Sequence, residues 1–106
     1  MKTTSWYSLS DIEVIGEIGK RIRLKRMSEN LTQQMIADQT GLNRSTIRDI
    51  ENGKSVNFLS IVPVFRRLNL FEGIDNSIPD YDDSPVMAIK QKDRKRVKLS
   101  KSSSSI

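Results

Sequence analysis

The sequence predicts an all-α fold, in which a compact bundle of four to five helices is followed by a disordered, basic C-terminal tail. Apolar residues recur at spacings of three and four over successive stretches, which is typical of helices with one buried face. A serine, threonine or asparagine precedes each stretch, and these residues commonly cap helices. Hydrophobic residues make up 36% of the 106 residues, which is enough for one small core.

The first helix is predicted over residues 11–28. Ser10 and Glu13 have the spacing of a capping box, in which each side chain accepts a hydrogen bond from the other residue's backbone N–H. Gly16 and Gly19 each weaken the helix by roughly 1 kcal/mol relative to alanine, so we expect them to permit close packing or a bend. The predicted apolar face contains Ile15, Ile18 and Ile22.

The second helix is predicted over residues 33–40, between the capping residue Thr32 and Gly41. Glycine is favoured just after a helix because it adopts positive φ without a steric penalty. The side chains expected to face the core are Met35, Ile36 and Ala37.

The third helix is predicted over residues 44–52, with Asn43 as its N-cap and Gly53 after its end. Projected at about 100° per residue, Ile47 and Ile50 define its buried side. The side chains expected to point outward are all polar: Arg44 in the first turn, then Ser45, Arg48, Asp49 and Asn52.

The fourth helix is predicted over residues 58–68 and is capped by Asn57. Pro63 lies inside it and removes a backbone hydrogen bond, so we expect a kink or a split there. A further short helix is predicted over residues 70–76. The side chains of the fourth helix expected to face inward are Phe58, Ile61, Val62, Phe65 and Leu68.

Two short helices joined by a tight, glycine-containing turn are the signature of a helix-turn-helix, whose second helix enters the major groove of DNA. The outward face of residues 44–52 offers guanidinium, hydroxyl and carboxylate groups, which can hydrogen-bond base edges. Glu51 lies on the flank nearer the core, where a carboxylate needs a partner, and Arg26 is the expected one.

The composition excludes several classes of function. The chain has neither cysteine nor histidine, so it lacks thiolate ligands, the usual general base and the commonest metal ligand. We therefore expect no enzymatic activity, no metal and no cofactor. No apolar run is long enough to span a bilayer, and residues 1–10 contain no signal-peptide core, so we expect no membrane association and a cytoplasmic location.

The net charge of +5 is concentrated in the tail. Residues 90–101 contain seven basic residues and one acidic residue, which leaves 11 basic and 12 acidic residues in positions 1–89. The tail is expected to be a solvated end, an arm that lies along DNA, or a segment docked on acidic residues. A solvated face and a phosphate-facing role are both open for the basic residues of the first helix, Lys20, Arg21, Arg23 and Lys25.

We expect four segments along the chain. They are an N-terminal arm (1–10), the helix-turn-helix domain (11–78), an acidic turn with a short helix that offers a dimer or partner contact (79–90), and the basic, serine-rich tail (91–106).

Residues 31–54, LTQQMIADQTGLNRSTIRDIENGK, resemble the XRE family of lambda repressor and Cro type. The matching residues are Thr32-Gln33, Ile36-Ala37, Gly41, Ser45-Thr46-Ile47 and Ile50-Glu51-Asn52-Gly53. The resemblance covers about residues 15–70. It implies a five-helix bundle that usually binds a palindromic operator on double-stranded DNA as a homodimer. Such a protein regulates transcription as a repressor or an activator, and repression is the expected role.

The resemblance and the outward face together give a set of candidate site residues. The candidates for reading bases are Arg44, Ser45, Arg48 and Asp49. Those for contacting phosphates are Gln33, Asn43, Asn52 and Lys54, and Arg26 and Glu51 match a structural ion pair of some family members.

A second resemblance covers residues 58–98. Residues 62–71, Ile78-Pro79, Ser84-Pro85-Val86-Met87 and Arg94-Lys95-Arg96 are similar to the C-terminal half of HipB-like regulators. It implies an alternative function, that of an antitoxin which binds a HipA-type kinase and represses its own operon.

The homodimer surface is expected within residues 58–90, because apolar side chains continue there beyond the motif. These side chains are Phe71, Ile74, Ile78 and Val86. For Trp6 and Tyr7, packing in the core or a dimer is favoured over stacking on bases.

Overall fold

The computed structural model describes residues 5–81, and all regular secondary structure in this part of the chain is helical. A short 3-10 helix, Trp6–Ser8, is followed by five α-helices. They are α1 (Asp11–Ser28), α2 (Gln33–Thr40), α3 (Arg44–Glu51), α4 (Phe58–Arg67) and α5 (Glu72–Ser77). The all-α prediction is confirmed; the short helix expected after the acidic turn, and the tail, lie outside the described residues.

Most predicted helix ends are confirmed. The bounds of α1 and α2 are as predicted, α3 and α4 each end one residue earlier, and α5 begins two residues later and ends one residue later. Ser10 and Glu13 form both bonds of the capping box, at 3.2 and 2.8 Å. Thr32 caps α2, and Asn57 caps α4 by accepting a hydrogen bond from the Leu59 N–H at 2.9 Å.

Asn43 is confirmed as the N-cap residue of α3, but its side chain does not cap the helix. Asn43 has the extended backbone of an N-cap residue, with φ −72° and ψ 147°, but its side chain accepts no hydrogen bond from the first turn of α3. Its backbone carbonyl nevertheless accepts the first bonds of the helix, from Thr46 and Ile47. Among residues 5–81 the side chain therefore has no capping bond that would compete with a group outside the protein.

The hydrophobic core lies among α1, α2, α3 and α4. Its buried members are Ile22, Ile36, Ala37, Ile47, Ile50, Val64 and Leu68. Each large aliphatic side chain here contributes roughly 1.5–3 kcal/mol by its removal from water. α3 contacts both α1 and α2, and α4 packs on α2, so burial within the core fixes the position of α3.

Several predicted core residues are instead exposed. Met35 is 43% exposed, because its sulfur turns back to accept the Thr32 N–H at 3.3 Å. Phe58 is 84% exposed at the first position of α4, and Val64, which the prediction omitted, is buried. Ile15 and Ile18 also remain partly exposed.

The split expected at Pro63 is wrong, because α4 is continuous through that residue. Proline in a helix removes the hydrogen bond to the carbonyl four residues earlier, which here belongs to Leu59. Leu59 is largely exposed, so water can bond this carbonyl, and the helix continues.

The chain divides into two units, one up to Phe71 and one from Glu72 onward. Within the described part of the second unit, α5 ends in a hydrogen bond from the Ile78 N–H to the Ile74 carbonyl. No helix among residues 5–81 combines the length and apolar character that crossing a membrane requires.

Candidate nucleic-acid interface

α3 has two faces of opposite character. Ile47 and Ile50 are buried in the core and hold the helix against its neighbours. On the other face, Arg44, Ser45 and Arg48 are exposed to solvent. A helix that is anchored by one face and polar on the other can enter the major groove, which admits an α-helix.

α1 and α3 approach each other at glycines. A Cβ atom on Gly19 would overlap the carbonyl oxygen of Ile50 and lie 2.9 Å from that of Glu51. Gly53, with φ 74°, lies just after α3, and a Cβ there would be 2.7 Å from the Cα of Gly16. The close packing expected at these α1 glycines is confirmed, and it fixes the C-terminal end of α3.

A buried ion pair anchors the same end of α3. Arg26 donates from Nε to Glu51 Oε2 at 2.6 Å and from Nη2 to Oε1 at 3.0 Å. Gln33 donates to Glu51 Oε1 at 3.0 Å, and the third nitrogen of Arg26 donates to the Leu31 carbonyl at 2.6 Å. A buried carboxylate needs such bonds to replace its hydration, and here they join α1, α2 and α3.

The turn between α2 and α3 is held by local hydrogen bonds. Gly41 has φ 78°, and its N–H donates to the Ala37 carbonyl at 2.9 Å. The Thr40 hydroxyl donates to the Ile36 carbonyl at 2.7 Å and accepts from the Leu42 N–H at 3.3 Å. These bonds fix the direction in which α3 leaves the turn.

The candidate base-reading side chains share one surface. Neither Arg44 nor Arg48 forms an ion pair or side-chain hydrogen bond with another residue of the described part of the chain. Asp49 is half-buried, and its carboxylate lies 3.9 Å from Lys54 Nζ. Sequence reasoning missed Lys54 as a partner of Asp49; the turn after α3 brings Lys54 back alongside it.

The candidate phosphate-contacting residues lie at both ends of the helix-turn-helix. Gln33 begins α2 and borders the same surface depression as Arg44, while Asn52 and Lys54 lie at the opposite end of α3 and are exposed. Sequence reasoning missed the bond from Gln33 to Glu51. The sequence did contain a signal for this bond, because a buried carboxylate has more acceptor sites than one arginine can fill.

The basic residues of α1 are partly engaged by acidic residues of α1 and of its C-cap. Arg21 pairs with Glu17 at 2.9 Å, and Lys25 pairs with Glu29 at 3.2 Å. The Arg21 guanidinium also lies 4.6 Å from the centre of the Trp6 ring. These contacts favour the solvated-face alternative for Arg21 and Lys25, and they give Trp6 a packing role on α1; Tyr7 next to it is fully exposed.

Acidic side chains do not converge into a metal site anywhere between residues 5 and 81. The sequence from Ser84 to Lys98, which carries much of the HipB-like resemblance, lies outside the described residues, so that resemblance stays a prediction.

Comparison with known protein families agrees with this geometry. A family described as a helix-turn-helix domain matches residues 19–77, more than half of the chain. A search of curated proteins returns no significant match. The matched segment contains α2, the turn and α3, and it also includes Gly19, Arg26 and Gly53, which fix the position of α3.

Proposed function

This chain belongs to the helix-turn-helix domain family, and on that premise we propose that it is a transcriptional repressor that reads a palindromic operator as a homodimer. The family membership supports DNA binding. The operator, the dimer and the repressing effect are parts of the proposal, as are action in the cytoplasm and the absence of an enzymatic step.

The observation that carries the proposal is the exposed face of α3. Arg44, Ser45 and Arg48 have no competing partners among the described residues, whereas the other face of the helix is buried. Arginine donates two hydrogen bonds to guanine, and a serine hydroxyl bonds several base edges. Asp49 would accept from the cytosine amino group once Lys54 turns to the DNA backbone.

The flanking residues fit contacts with the DNA backbone. The Gln33 side chain uses one N–H for its bond to Glu51 and keeps its second N–H and its carbonyl oxygen for other partners. Within the described residues, the Asn43 side chain makes no capping bond. Asn52 and the Lys54 ammonium lie beyond the last turn of α3. Contacts from both ends of a helix-turn-helix orient the base-reading helix between phosphates.

The short reach of α3 supports a palindromic operator. A single helix contacts only a few base pairs, and a two-fold dimer places two such helices in successive major grooves about 34 Å apart. A dimer on two half-sites therefore specifies more base pairs than a single chain on one half-site.

Selection of bound sequences from a random DNA library tests the proposal. We expect the full chain to enrich one palindromic sequence, and Arg44→Ala to lower affinity by about 1–3 kcal/mol per contacted base and relax the preference at one position of each half-site. Lys20→Ala is the control for base preference, because it removes an exposed positive charge from α1 and should leave the preferred sequence unchanged whether or not Lys20 lies near a phosphate. The absence of any enriched sequence would contradict the proposal.

A further inference from the structure

An apolar cleft of about 310 Å³ lies between α1 and α4. Ile15, Ile18 and Ile22 line it from α1, Phe58, Ile61 and Phe65 line it from α4, and Ile50 of α3 also borders it. α1 packs mainly on α3, and α4 mainly on α2, so α1 and α4 leave this space between them uncovered within residues 5–71.

Large apolar side chains are exposed at the edge of the cleft. Phe58, which lines the cleft, is 84% exposed in the first turn of α4, and Ile12 is 77% exposed one turn before Ile15. We call the four side chains Ile12, Ile15, Ile18 and Phe58 the apolar dimer face. Together they expose an apolar area on the order of 400 Å², the size of the largest patch on many monomers, which is often functional.

We propose that a second copy of this chain covers the apolar dimer face, with the Phe58 ring of each protomer inserted into the α1–α4 cleft of the other. The inference rests on the proposed function and deepens it, because it names the surface through which the two DNA-reading chains pair.

The exposed area fits this occupant. A stable interface buries about 800 Å² on each partner, of which roughly 56–65% is apolar. The apolar dimer face, together with the half-buried side chains Val56, Ile61 and Phe65 that line the cleft, supplies that share.

The shape of the surface also fits a second copy. In a two-fold interface the same patch must be complementary to itself. Here the exposed ring of Phe58 stands at the rim of a cleft that is lined mostly by apolar side chains, so each protomer offers both the group to be inserted and the space for it.

The position of the face is compatible with simultaneous DNA binding. Lys54 and Ser55, which follow the recognition helix, line the cleft, while Arg44, Ser45 and Arg48 project from the exposed face of α3 and are not among its lining residues. Lys54 is the single charged residue in the lining of the cleft, so little like-charge repulsion opposes pairing.

Sedimentation of the full chain without DNA tests the dimer face. Phe58→Glu is the test variant, and glutamate at the first position of α4 is compatible with folding because it suits the helix dipole. Leu24→Glu is the matched control, since Leu24 is 55% exposed and lies nine residues from Ile15, on the opposite side of α1. Circular dichroism verifies that both variants are folded.

We expect the unchanged chain to dimerise and Phe58→Glu to raise the dimer dissociation constant by about 30-fold or more, as for a central interface residue. Leu24→Glu should change it by less than about 3-fold. A chain that stays monomeric at high concentration, or equal effects of the two variants, would overturn the proposal.

A second measurement identifies the occupant of the face. The chain contains no cysteine, so the thiol of Ile12→Cys, at a position that is 77% exposed in the single chain, reports on this surface alone. We expect its rate of alkylation to fall as the protein concentration rises, while that of Leu24→Cys stays constant. Slow alkylation at every concentration would mean that the chain covers itself, and fast alkylation at every concentration would mean that nothing covers the face; either result overturns the proposal.

Binding to DNA with one half-site separates this inference from the proposed function. Phe58→Glu should bind one half-site as well as the unchanged chain, because α3 is unaltered. If both chains bind DNA but Phe58→Glu still dimerises, the dimer face is wrong. If the chain dimerises as expected but no DNA sequence is selected, the proposed function fails and the dimer face stands.

Discussion

Glu51 is the residue on which the placement of α3 most depends. Its carboxylate is buried and accepts hydrogen bonds from Arg26 and Gln33. We expect Arg26→Met to destabilise the protein by about 3–5 kcal/mol, because it leaves a buried charge without its partner. Urea-induced unfolding followed by circular dichroism measures this loss.

The double variant Arg26→Met, Glu51→Met is the control for that experiment. A buried ion pair that is replaced by apolar side chains of similar volume often costs little, so the double variant should be more stable than Arg26→Met alone. Equal or greater destabilisation of the double variant would show that lost packing, rather than the uncompensated charge, causes the effect.

Glu13 provides a prediction about pH. The Ser10 backbone N–H, and secondly the Ser10 side chain, hold the pKa of the Glu13 carboxyl below its usual value. A depressed folded-state pKa contributes stability that is present above the unfolded-state pKa and is lost as the pH falls through the folded-state pKa. We therefore expect the first turn of α1 to lose hydrogen-exchange protection in that acidic range.

Titration of Glu13 by NMR checks the cause. In Ser10→Ala the pKa of Glu13 should move towards its usual value, because the hydroxyl is lost and the cap geometry loosens. An identical pKa in Ser10→Ala and in the unchanged chain would contradict a role for the Ser10 side chain.

At the scale of elements, Gly16 and Gly19 form a matched pair in α1. Both lie in the interior of the helix, where alanine is favoured by roughly 1 kcal/mol. We expect Gly16→Ala to raise stability by up to that amount, since nothing lies within 4 Å of its added Cβ. Gly19→Ala should lower stability and weaken DNA binding, because its Cβ would meet the backbone carbonyls of Ile50 and Glu51.

Thermal unfolding and DNA affinity of the two variants measure this difference. The backbone of α3 cannot rotate away from the added methyl group as a side chain could, so the helix as a whole must shift. A stabilised Gly19→Ala chain with unchanged DNA affinity would show that the contact between α1 and α3 does not set the position of the recognition helix.

The ends of the helices could be predicted because their signals are local. Ser10, Thr32 and Asn57 each bond a backbone N–H two or three residues ahead, and Gly41 needs only its own positive φ. Such interactions depend on a few consecutive residues, which the sequence displays directly.

The depth of burial could not be predicted in the same way. Phe58 has the helical phase of a core residue, yet it lies at the start of α4 and no residue of the first unit covers it. Whether such a side chain is buried depends on the path of the neighbouring helices, which helical periodicity does not specify. Arg26 and Glu51 could be paired from phase alone, whereas Gln33 needed the distance between α2 and α3.

At the scale of the whole molecule, the first unit keeps two exposed faces apart. One face of α3 is buried in the core, its opposite face is polar and exposed, and the apolar dimer face lies beside the cleft between α1 and α4. Lys54 borders both exposed faces, because it follows the recognition helix and lines the cleft. Pairing of two chains would therefore fix the spacing of their phosphate contacts as well as that of their base contacts.

The salt dependence of binding tests this geometry. Each phosphate contact releases counterions and adds about 0.9 to the slope of log affinity against log salt concentration. On a palindrome each substitution is present twice, so we expect Lys54→Gln to reduce the slope by about 1.8, and by about 0.9 on DNA with one half-site. Lys20→Gln, which alters an exposed lysine of α1, should leave both slopes unchanged.

The reduction of the slope on the palindrome, divided by the reduction on DNA with one half-site, is more informative than either reduction alone. A phosphate contact that lies near the two-fold axis must be made once by each protomer, so a reduction that doubles on the palindrome requires two symmetrically placed copies. An equal reduction on both DNAs would mean that one chain alone binds the palindrome, and a reduction by Lys20→Gln would move the phosphate-contacting surface towards α1.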